Sequence, residues 1–110
     1  MAIANARIGT TNTTLLTVPT GKQYAITTLM ICNVANYDSG GANDCTFDLH
    51  IIPDGQSIGP ANIVVNSLNV AGADTFTFDT EKIIIDENDT VVLAAQIANR
   101  LTATLSYLEV

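Results

Sequence analysis

The stretch from Val18 to Asn33 restricts this chain more than any other: a Pro19-Thr20-Gly21-Lys22 turn opens at once into the apolar run Tyr24-Ala-Ile-Thr-Thr-Leu-Met-Ile-Cys-Asn33. Proline and glycine are turn formers, and the run beyond them has the β-branched and apolar content of a strand. Counted with period two, Tyr24, Ile26, Met30, Cys32 and Val34 share one face, and Ala25, Leu29 and Ile31 share the other. Apolar residues on both faces predict a central strand covered on each side. Such a strand needs partners, and the rest of the chain supplies them.

Thr14–Val18 precedes the turn as a short strand, and 35–44 follows the long run as a polar, glycine-rich surface loop. The next strand alternates cleanly, with Cys45, Phe47, Leu49 and Ile51 inward and Thr46, Asp48 and His50 outward, before Pro53-Asp54-Gly55 turns the chain. Further strands are expected at Asn62–Val70, Thr75–Asp79, Lys82–Asp86 and Leu101–Tyr107, with Phe76 and Phe78 on a buried side. Thr90–Ala98 is ambiguous, because Asn88 or Asp89 could cap a helix rich in alanine. Its opening Thr-Val-Val and its place between two strands favour strand. The expected fold is all-β, an antiparallel β-sandwich of eight or nine strands with jelly-roll winding, in a single domain over residues 1–110.

With 4 Lys+Arg against 11 Asp+Glu, the net charge is −7, and Arg7, Lys22, Lys82 and Arg100 are scattered singly. Nucleic acid is not an expected partner, since a phosphate binder needs a basic stripe, and an anionic membrane is disfavoured for the same reason. No secretory signal is read in the first residues and no apolar run nears the roughly 20 residues of a membrane span, so a soluble chain made in a cytoplasm is expected. Only 14% of residues are charged and 47% are hydrophobic. That is more apolar material than a small monomer needs, which suggests side chains facing a partner.

Residue patterns for chemistry are thin. An Asp48-x-His50 pair could ligate a metal or orient a base, but further ligands are missing, and a solvated cross-strand pair is the simpler reading. Asp86-Glu87-Asn88-Asp89 gathers oxygen ligands in a turn, yet lacks the glycine and distal glutamate of a calcium loop. Asp79 and Glu81 are a conceivable carboxylate pair with no test of their separation. Gly21-Lys22 stands outside any phosphate-loop motif, no serine lies in a nucleophile-elbow context, and Tyr24, Tyr37 and Tyr107 are too sparse for a stacking platform. No catalytic, cofactor or metal residue is assigned, and an enzyme is not expected. Cys32 and Cys45 would lie nearly opposite each other if 23–34 and 44–53 formed a hairpin, which leaves a cross-strand disulfide open. A reducing cytoplasm favours two buried thiols.

One break in pattern points outward. On the last strand Leu101, Ala103, Leu105 and Tyr107 face one side and Thr102, Thr104 and Ser106 the other, but Leu108 and Val110 put apolar groups on the polar face. Either a neighbouring subunit covers them, making them interface residues, or the terminus tucks under a loop or carries a bulge.

The order TVPTGK…AITTLMICN, TFDLHIIPDG, TFTFDTEKIIIDENDTVVL and LTATLSYLEV, spanning Thr14 to Val110, resembles a family of small β-sandwich virion structural proteins of tailed bacteriophages, notably cyanophages. One departure is the turn at Asp86–Asp89, which has no glycine. The resemblance implies a non-enzymatic virion part, foremost a capsid decoration or cement protein on the outer surface of the major capsid lattice. A tail, baseplate or fibre component contacting the host surface or other tail proteins is the alternative, and a carbohydrate-binding sandwich a more distant one. Implied partners are the major capsid protein or other virion proteins, and fold analogy adds a homo-oligomer, with a trimer preferred.

Overall fold

In a computed structural model that describes residues 2–78 and 83–110, the alternating runs become strands and almost nothing else. They are β1 (Ala2–Arg7), β2 (Thr13–Thr17), β3 (Tyr24–Asn33), β4 (Cys45–Ile52), β5 (Ile63–Val70), β6 (Thr75–Phe78), β7 (Ile83–Ile85), β8 (Thr90–Ala95) and β9 (Leu101–Glu109), with one short 3-10 turn at Pro60–Asn62. Two antiparallel sheets pack together as a β-sandwich. The first has the order β1-β9-β3, then β6 and β7 along the same edge of β3; the second has the order β2-β8-β4-β5.

The winding follows from the ladders. If β6 and β7 count as one interrupted strand, first pairs with last (β1 with β9), second with second-last (β2 with β8), third with third-last (β3 with β6 and β7), and β4 with β5. Such a folded ribbon, wrapped so that successive pairs alternate between sheets, is a jelly roll. Its core is built from both inner faces, with Phe47, Ile31, Leu93, Leu101 and Leu105 almost fully excluded from solvent.

Three expectations change. The 23–34 and 44–53 strands are not a hairpin: β3 belongs to one sheet and β4 to the other, because jelly-roll winding separates strands that are neighbours in sequence. Cys32 and Cys45 are accordingly free thiols, Cys45 buried and Cys32 only partly so. Nor is β3 covered on both faces. The register with β9 shifts between Ile26 and Thr28. This bulge inserts one residue and reverses the parity, so that Tyr24 and Ile26 point inward before it, Leu29, Ile31 and Asn33 after it, and Met30 is left 40% exposed. The third change is β1, six residues with three alanines that were read only for targeting signals. It forms the edge beside β9, with Ala4 opposite Leu105 and Ala6 opposite Ala103.

Other readings hold with small shifts. Residues 90–95 are strand rather than helix, and the chain then leaves the ladder at Gln96, short of Ala98. In the Pro19–Lys22 turn Lys22 N donates to the Pro19 carbonyl at 3.2 Å, which makes Thr20 and Gly21 the two central residues. Gly21 takes φ +82°, the left-handed conformation that a type II turn requires at this position. Buried Asn33 ties the 35–44 loop down, its Nδ2 donating to the carbonyls of Asn43 at 2.8 Å and Val70 at 2.9 Å.

Candidate interaction surface

The carboxylates of two of the candidate motifs take part in local structural bonding. Asp48 and His50 do share the outer face of β4, but Asp48 Oδ1 accepts from Ser67 N at 2.7 Å and so braces an irregular point of β5, where Ser67 holds φ 53°. In the turn between β7 and β8, Asp89 accepts from Asp54 N and Asp86 N, both at 2.8 Å. Asp86 accepts from Gln23 Nε2 at 2.7 Å and Glu87 from Gly21 N at 3.0 Å. Asn88, at φ 65°, fills the left-handed position where a glycine was expected, a conformation asparagine tolerates. Among the described residues no group of three or more His, Cys, Asp or Glu is placed to hold a metal. The Asp79 and Glu81 pair lies outside the described residues.

These carboxylates rim an open bowl of about 850 Å³ at one end of the sandwich, lined by Gly21, Lys22, Gln23, Asp54, Asp86, Asp89 and Val110. Lys22 Nζ binds Glu109 Oε1 at 3.0 Å there, and this hydrogen bond together with the carboxylate charge holds the lysine pKa above its ordinary value. A second, apolar cleft of about 230 Å³ opens between the sheets near the bulge, lined by Leu29, Leu49, Val64, Phe78, Ile83 and Leu105 among others.

The terminus singled out by sequence divides between two environments. Val110 sits 61% exposed on the rim of the acidic bowl, its backbone N donating to the Gln23 carbonyl at 2.9 Å. Leu108 stands on the outer face of the first sheet, untucked and 38% exposed, directly across from Ala25, which in turn faces Ile84 on β7. Leu108, Ala25 and Ile84 therefore form one apolar row across three strands.

The register extends this row into a face. One step along, Ile3, Ser106 and Thr28 are aligned; then Asn5, Thr104, Met30 and Thr77; then Arg7, Thr102, Cys32 and Thr75. Among the described outward positions of this sheet there is no carboxylate, and Arg7 is the one charge. Ile3 at 67% and Ile84 at 61% are among the most exposed large apolar residues described. On a chain of net charge −7 this is a marked segregation: acidic groups crowd the turns, Asp48 is the one carboxylate on the strands of the opposite sheet, and one broad face carries no carboxylate among the described residues. Sequence parity found Leu108 but missed Ile84, Ala25, Met30 and Ile3, because only the cross-strand register brings them together.

Compared with known proteins, the chain matches no family model, no curated protein and no solved structure.

Proposed function

We propose that this protein is a non-enzymatic structural part of a virion, foremost a decoration protein repeated over the outer surface of a capsid lattice. The observation that carries the reading is the division of its surface. A neutral face bearing Ile3, Met30, Ile84 and Leu108 invites permanent cover, while the acidic remainder keeps assembled copies hydrated and mutually repellent. The jelly roll suits such a part, since its stability rests on a sandwich core and leaves both outer faces free for contacts. The strand-and-turn resemblance to tailed-phage virion proteins points the same way.

Quantifying this chain against the major capsid protein in purified particles of the phage that encodes it tests the reading. Hundreds of copies per particle are expected. A handful would move it to the tail, baseplate or fibre, and none would remove it from the virion.

A further inference from the structure

We infer that two copies of this chain pair face to face through the neutral outer surface of the β1-β9-β3-β6/β7 sheet, with the Leu108–Ala25–Ile84 row as its apolar anchor. The pairing is a property of the isolated chain and does not rest on the virion reading.

Charge selects the occupant. A second copy also carries −7, so two copies can approach closely only where neither presents carboxylates. Among the described residues this face meets that condition; the acidic bowl does not, and the outer face of the other sheet carries Asp48. The texture of the face suits a second sheet. Its threonines, serine and alanine are short, which lets sheets close to the roughly 10 Å spacing of sheet packing, and Met30 adapts to whatever gap remains.

Size agrees as well. Six residues of β1, nine of β9, ten of β3 and seven of β6 and β7, each covering about 4.8 by 3.4 Å, give a footprint on the order of 500 Å² in projection. Side-chain relief brings this to the low end of standard interfaces, about 600 Å² per partner. A single patch that is complementary to itself closes about a two-fold axis, which favours two copies over the three suggested by fold analogy.

Sedimentation or light scattering of the isolated protein at micromolar concentration should give twice the 11.6 kDa chain mass. Ile84→Glu with Leu108→Glu should return it to one chain mass, while Tyr37→Glu with Ile58→Glu, the same charge change at exposed sites off the face, should leave the pair intact. As a readout without mutation, alkylation of the partly exposed Cys32 should slow several-fold as protein concentration rises through the association range, Cys45 being buried throughout. A monomer or a trimer in the wild-type protein, dissociation by the off-face pair, or a Cys32 rate independent of concentration would each overturn the inference. Copy number in particles is a separate measurement, so failure here leaves the proposed function standing.

Discussion

Gly72 lies against the backbone of the 35–44 loop, where a Cβ would drive into the Asn36 carbonyl and come within 3.2 Å of Tyr37 Cα. Backbone cannot step aside as a flexible side chain can, so Gly72→Ala should cost about 2 kcal/mol or more in chemical denaturation, in the range of overpacking. Gly21 is the contrasting case: nothing lies within 4 Å of its missing Cβ, but φ is +82°, so Gly21→Ala should cost only about 1 kcal/mol, from backbone strain alone. At Lys22 the bond to Glu109 raises the lysine pKa, so its contribution to stability is complete below the unfolded-state value near 10.5 and is lost as pH climbs through the folded one. Glu109→Gln should lower the Lys22 pKa toward that ordinary value in an NMR titration of the lysine side chain.

At the level of the elements, the bulge in β3 decides which residues the core receives. Deleting Thr27 would remove the inserted residue and straighten the ladder, with Thr28 still opposite Ser106 and Leu29, Ile31 and Asn33 still facing inward. Circular dichroism and thermal melting of that variant should show a cooperatively folded protein with a lowered melting temperature, whereas Thr27→Ser should melt close to wild type. Thr27 Oγ1 donates to the Ser106 carbonyl at 3.1 Å, and serine keeps that hydroxyl. The same bulge marks the limit of what could be read from the chain. Strands β2 to β9 were legible because turn residues bracket short alternating runs, as in Cys45–Ile52 with Phe47 and Leu49 inward. An inserted residue leaves no compositional trace, so β3 looked covered on both sides. β1 was invisible for another reason: alanine has weak strand propensity, and Ala2–Arg7 is extended because the edge of β9 offers it a ladder. At the candidate surface, Leu108 stood out by parity within one strand. Its neighbours Ala25 and Ile84 come from distant segments, and no local pattern announces a row assembled across three strands.

For the whole molecule, charge and shape act together. Association through a neutral face must still overcome repulsion between two bodies of −7, a long-range term that salt screens. Raising sodium chloride from about 0.05 M to 0.5 M, where the Debye length falls from roughly 14 Å to 4 Å, should therefore tighten self-association several-fold in a sedimentation series. Loosening would mean that attractive charge pairs hold the copies together. Leu108→Asp should weaken assembly far more than Val110→Asp, because Leu108 stands on the neutral face and Val110 on the acidic rim; equal effects on the sedimentation profile would place the contact elsewhere.

The ladder between β1 and β9 sets Ala2 opposite Tyr107 and Arg7 opposite Thr102. During synthesis β1 has no partner until almost all of β2 to β8 and then β9 have followed it, so the outer edge of its sheet forms late. Pairings this distant in sequence carry the largest loop-closure cost and belong to the slow, millisecond-to-second class of folding reactions. Throughout that interval the ladder side of β9 that awaits β1 stands open, and it is there that crowded nascent copies would be most prone to join wrongly, strand to strand.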